Sequence, residues 1–167
     1  FPNRPDLLSI ENFAKALNEY RGKRKPGAIK VHAPEKNYEV IIDKSVKGIR
    51  NHTVCCIVKG LKLTEEKIMH IIDVQEKLHN SLGRKRKKGA IGIYPLEKIQ
   101  LPITFTAKDP KEVTFKPLEF PKEITAKQVL TQHPTGKEYS HLLEGKEKFP
   151  FFMDAKGSVL SLPPIIN

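Results

Sequence analysis

The sequence predicts an α+β fold with strands in the majority, and three observations predict it. Amphipathic helical patterns are interspersed with short β-branched runs, and prolines and turn formers separate those runs. No regular strand–helix–strand rhythm recurs that would demand a parallel doubly wound sheet. At 167 residues, 38% of them hydrophobic and 29% charged, the chain reads as one soluble domain over 1–167, too apolar for disorder.

Each element has a local cause. Leu7, Ile10, Phe13, Ala14 and Leu17 recur at spacings of three and four and Gly22 supplies a stop, so a helix is expected near 6–21. Arg21 to Gly27, basic and broken by proline and glycine, reads as a loop. Residues 38–42 and 52–61 have the β-branched content of strands. Thr64 with Glu65 and Glu66 opens the longest helix, since a hydroxyl caps orphan amides and carboxylates suit the positive end. Its apolar face is Ile68, Ile71, Ile72, Leu78 and Leu82, and Gly83 closes it.

Short strands are expected at 90–94, 103–108 and 113–116. Thr125 with Gln128 forms a capping box before Val129 and Leu130. Residues 149–161 form a hairpin turning at Ala155-Lys156-Gly157, and Pro163-Pro164 stops its second arm. The first and last stretches, around Phe1 and Asn167, read as a chain cut from something larger.

Composition also narrows the chemistry. No apolar run approaches the roughly 20 residues that cross a bilayer, and the first residues lack a secretory pattern. The neighbours Cys55 and Cys56 lie in an apolar run where alternate side chains point to opposite faces. They are expected to be buried, unbridged hydrophobes of a reducing cytosol. Thirty Lys and Arg against nineteen Asp and Glu give a net charge of +11. Arg84, Lys85, Arg86, Lys87 and Lys88 concentrate that excess directly after the long helix. Such a cluster attracts nucleic-acid phosphates by releasing counterions; a solvated helix C-terminus is the alternative.

Standard catalytic patterns are missing. There is no Gly-rich phosphate loop, no Gly-x-Ser-x-Gly elbow and no His-Glu-x-x-His helix. The six histidines have no metal-ligand spacing and are expected at the surface or at caps, so no metal site is expected. Ser161 has no base close in sequence.

The stretch Asn3-Arg-Pro-Asp-Leu-Leu-Ser9 resembles the Asn-Arg-x-Asp-Leu signature of phenylalanyl-tRNA synthetase β subunits. Gln75 to His79, Gly83 to Arg86, Ala90 to Gly92, Phe105 to Lys108, Phe115 to Leu118 and Leu160 to Asn167 are similar to the archaeal and eukaryotic type of that subunit, which some bacteria share. The resemblance spans nearly the whole chain. It implies the amino-acid editing domain, truncated, with a mixed or antiparallel barrel-like β core flanked by helices. The implied substrate is tyrosine esterified to the phenylalanine tRNA. A synthetic pocket shaped for an apolar ring rejects an added hydroxyl by only about a hundredfold, so a second, hydrolytic site is required.

By this resemblance Phe152 forms an apolar wall of the editing pocket, Ser161 a polar contact and Asn167 a hydrogen-bonding group. Phe152 departs from the smaller aliphatic residue common there. The alternatives from the residues themselves are plain core for Phe152, a backbone-bonding strand end for Ser161 and a turn for Asn167. The family's Asp-x-Thr pair belongs to a later strand than this chain reaches, so its catalytic residues stay unassigned. The resemblance further implies that Arg84 to Lys88 contact the tRNA and that the parent enzyme is a cytoplasmic heterotetramer of two α and two β subunits. It implies no cofactor in this segment, with ATP and Mg2+ serving aminoacylation on the α subunit. A non-catalytic tRNA-binding scaffold and an unrelated basic RNA-binding module are the competing readings.

Overall fold

Hydroxyl side chains start three helices of this protein, as seen in a computed structural model that describes residues 3–35 and 37–166. Ser9 Oγ accepts from the Asn12 amide at 3.1 Å ahead of α1 (Ile10–Tyr20). Thr64 Oγ1 accepts from the Lys67 amide at 3.3 Å ahead of α2 (Glu65–Asn80), whose first turn carries Glu65 and Glu66. The capping box at α3 (Ala126–Gln132) is formed in both directions: the Gln128 amide donates to Thr125 Oγ1 at 3.2 Å and the Thr125 amide to Gln128 Oε1 at 2.9 Å. A further helix, α4 (Pro134–Tyr139), follows with proline at its first turn, where a missing amide costs nothing.

The chain divides into two compact units: Phe1–Ala33 with Val58–Ile91, and Pro34–Ile57 with Gly92–Asn167. The first holds α1, α2 and the basic turn after α2. The second holds the strands, α3 and α4.

In the second unit β1 (Val40–Ile42) pairs parallel with β2 (Ile103–Lys108), and β2 pairs antiparallel with β5 (Phe149–Met153). The antiparallel edge strand β6 (Val159–Ser161) completes a mixed sheet of order β1-β2-β5-β6. A separate ribbon joins β3 (Thr114–Phe115) to β4 (Ile124–Thr125). The α+β class is therefore observed, but among the described residues the sheet is open and forms no closed barrel.

Alternation along β5 serves two cores. Phe149 and Phe151, both fully buried, pack with Val129, Leu130, Leu162 and Ile165. Phe152, one residue out of phase, turns to the other face and joins Phe105, Ala107 and Val46.

Two expected strands are absent, and two groups of side chains lie elsewhere than expected. Residues 52–61 and 90–94 are β-branched enough, but a strand needs a hydrogen-bonded neighbour and neither segment has one among the described residues. Without that sheet around them Cys55 and Cys56 are exposed free thiols, contrary to the expected burial. His79 is not at the surface either: it is buried, because its bonded ring nitrogens find fixed partners inside the protein, described below. His133 is buried too but stands at a cap, between α3 and α4, with a ring nitrogen 3.1 Å from the Leu118 carbonyl.

Candidate functional site

The end of the hairpin is built around Ser161. It stands opposite Phe152 in the β5–β6 register, just beyond an irregularity between Phe152 and Met153. Its side chain is only 3% exposed, and its hydroxyl donates to the Ile166 carbonyl at 2.8 Å. The Leu162 amide donates to the same carbonyl at 3.0 Å, while the Leu162 carbonyl accepts from the Ile165 and Ile166 amides at 2.8 and 2.9 Å. The Pro163-Pro164 stretch, joined by a cis peptide bond, is thereby held in a closed, buried loop.

Phe152 stacks on Phe105 with ring centroids 4.5 Å apart and an interplanar angle of 21°. It is half-buried. At the other end of the hairpin the Asp154 carboxylate accepts from the Lys156 and Ser158 amides at 3.0 and 2.8 Å. Burial pushes the Asp154 carboxyl up, but amides of Ser158, Lys156 and Gln100 outweigh it and hold the group below the usual carboxylate range. Asn167 lies outside the described residues.

Tyr94 is a neighbour that sequence reasoning missed. Its hydroxyl is desolvated, which pushes its pKa up, and the neighbouring Ser161 side chain opposes that push. Gly92 makes the position possible, since a Cβ there would lie 2.5 Å from the Tyr94 hydroxyl oxygen. A lone Gly-Ile-Tyr in an apolar stretch reads as strand, so nothing local pointed to this contact.

The basic turn in the first unit has a different construction. Contrary to expectation α2 closes before Gly83, at Asn80 with Ser81 as its C-cap, and Gly83 instead allows a close backbone approach: a Cβ there would sit 2.5 Å from the Gly89 carbonyl oxygen and 2.7 Å from that of His79. Arg84, Lys85 and Arg86 then take φ of 51°, 52° and 63° in succession. Left-handed backbone costs on the order of 1–2 kcal/mol per non-glycine residue, so three in a row must be held by their surroundings.

The holding groups are visible. The buried His79 ring accepts from the Ile91 amide through Nε2 at 2.8 Å, which leaves the proton on Nδ1 to be donated to Glu76 Oε1 at 3.1 Å. The Arg86 guanidinium donates to the same carboxylate oxygen at 3.1 Å, and the Arg86 amide donates to the His79 carbonyl at 3.2 Å. Burial, followed by the Arg86 charge, lowers the His79 pKa despite the opposing pull of Glu76. Of the five expected phosphate ligands, Arg86 is thus buried inside the turn, while Arg84, Lys85, Lys87 and Lys88 are exposed.

Beside this turn lies an open, largely apolar cleft of about 270 Å³, lined by Leu78, Leu82, Ala90 and Ile91 with Lys88 at its edge. Among the described residues no group of three His, Cys, Asp or Glu side chains could hold a metal ion, and no helix is long and apolar enough to cross a membrane.

No protein-family model matches the chain. Curated relatives do. The chain is 42% identical over 167 residues to the phenylalanine–tRNA ligase beta subunit of Archaeoglobus fulgidus and 40% identical over 167 residues to that of Methanothrix thermoacetophila. All of this chain is matched in both, but only 30% and 31% of those proteins. Among solved structures, an N-terminal fragment of the phenylalanyl-tRNA synthetase beta subunit from Pyrococcus horikoshii superimposes with a TM-score of 0.90 at 40% identity, over 99% of this chain and 47% of that one. The chain spans about a third of the length of the curated relatives it matches. Alike in sequence along its full length and alike in fold, the chain is a homologue of part of the phenylalanine–tRNA ligase beta subunit.

Proposed function

We propose that this chain is the editing portion of a phenylalanine–tRNA ligase β subunit, acting on tyrosine mis-attached to the phenylalanine tRNA. The observation that supports the reading is the match to β subunits along the whole chain. The chemistry gives it a reason: discrimination against an added hydroxyl is weak in an apolar synthetic pocket, and an editing site reverses the logic by offering that hydroxyl polar partners. A water attacking the ester carbonyl then needs positioning and oxyanion stabilisation more than a strong base.

In this reading Phe152 walls the tyrosine ring, Ser161 makes a polar contact and Asn167 supplies a hydrogen-bonding group to the substrate. The parent enzyme pairs α and β subunits in the cytoplasm and uses ATP and Mg2+ for aminoacylation. Arg84, Lys85, Lys87 and Lys88 hold the tRNA by its phosphates.

The burial of the Ser161 hydroxyl on Ile166 favours a second reading, in which this segment positions the tRNA without contributing reacting groups. Release of tyrosine from tyrosyl-tRNA for phenylalanine by the assembled ligase tests the first reading. Hydrolysis that falls at least about tenfold with Phe152→Glu, with aminoacylation intact, supports it. An assembled ligase that never deacylates this tRNA would leave only the positioning role.

A further inference from the structure

The cleft beside the basic turn is not absorbed by the editing site, and the two together have the parts of a nucleotide site. The cleft is smaller than the roughly 300–1,000 Å³ that drug-sized ligands occupy, and apolar walls suit one flat ring more than a polar group. Lys88 lines the cleft and Arg84, Lys85 and Lys87 precede it in the same turn; no ion pair among the described residues engages any of the four, and all are exposed. The strain in the turn points the same way. Three consecutive non-glycine residues with positive φ persist because His79, Glu76 and Arg86 brace the turn from inside, which fixes the backbone that carries the exposed cations.

We propose that this cleft binds one unstacked nucleotide of single-stranded RNA, its base packed against Leu78, Leu82 and Ile91 and its flanking phosphates held by Arg84, Lys85, Lys87 and Lys88. Arg86, Glu76 and His79 are positioning residues for that site. The proposal rests on the reading that this chain contacts tRNA, and it adds which strand form is taken and where. A duplex cannot surrender a base to such a cleft without unpairing it, so single strands bind and duplexes bind through phosphates alone.

The test uses the assembled ligase and a short single-stranded RNA carrying 2-aminopurine, with the same strand annealed to its complement as the control. The single strand brightens on binding and the duplex does not. Leu82→Glu abolishes the brightening and weakens affinity roughly tenfold, the order expected from losing one packed base; Leu82→Ser gives a smaller loss of the same kind. Arg84→Ala with Lys85→Ala keeps the brightening at saturation but flattens the salt slope by about 1.4, two single-strand contacts' worth.

Glu76→Gln weakens binding without that full loss of slope, because it removes a brace and not a cation. Unchanged brightening in Leu82→Glu, with a flattened slope in the double variant, overturns the nucleotide site while the tRNA reading stands. No effect from either variant overturns both. Capture of an amphipathic peptide by the cleft, with RNA binding indifferent to Leu82, assigns the cleft to protein docking and overturns the proposal as well.

Discussion

Replacing Gly83 with alanine should be the most damaging single-methyl change in the basic turn. The added Cβ meets the Gly89 carbonyl oxygen at 2.5 Å and the His79 carbonyl oxygen at 2.7 Å, whereas ordinary contact begins at 3.4 Å. Both obstacles are backbone, so the chain must retreat by roughly 0.7–0.9 Å on two sides. Neither side is free to move. The His79 carbonyl accepts from the Arg86 amide at 3.2 Å, and the Gly83 carbonyl accepts from the Lys88 amide at 2.8 Å. Overpacking of this kind costs about 1–3 kcal/mol, and loss of one backbone hydrogen bond adds about 0.5–1.5 kcal/mol.

A destabilisation of about 2–4 kcal/mol follows, or a fall in melting temperature of roughly 5–15 °C for a chain of this size. The assay is urea unfolding followed through the Ile91 amide resonance, which reports the His79 contact directly. Lys85→Gly is the matched control with the opposite sign: relief of positive φ offsets the flexibility of glycine, so it should be neutral or stabilising. If Gly83→Ala unfolds within about 0.5 kcal/mol of the parent while Lys85→Gly loses more than about 1 kcal/mol, the close approach and the left-handed turn are both misassigned.

His79 makes stability depend on pH. Its folded pKa is depressed, so the unfolded chain takes up the proton first: the contribution is complete above the unfolded value near 6.5 and is lost as pH falls below it toward the folded value. Histidine C2–H titration by NMR checks this, and a His79 midpoint at or above about 6.5 would refute it. Ser161→Ala removes one buried hydrogen bond but leaves the Ile166 carbonyl its bond from the Leu162 amide, so urea unfolding should register a loss of only about 0.5–1.5 kcal/mol. A loss above about 3 kcal/mol would mean that the hydroxyl holds more than the loop.

What could be read from the sequence was what depends on near neighbours. The caps at Thr64 and Thr125 bond to amides three residues on, and the hairpin of 149–161 is set by its own turn, so residue spacing was enough to place them. The strands at 52–61 and 90–94 failed for the opposite reason: β-branched content states a willingness to pair, and pairing depends on a partner that spacing does not supply. Cys55 and Cys56 inherited that error.

The basic turn combined both cases. Its five cations were plain in the sequence as a cluster, yet Glu76 lies ten residues before Arg86 and His79 twelve before Ile91. At those separations no periodicity links a histidine to an amide or a carboxylate to a guanidinium. Gly83 shows the same limit most clearly. It was expected to close a helix, but the left-handed residues are the three cations after it, and glycine is needed where two carbonyls close in. A run of positive charge therefore divides by geometry into four residues that meet solvent and one, Arg86, that holds the others in place. Charge-neutral substitution at Arg86 should accordingly cost folding, while the same substitution at Arg84 should cost only binding.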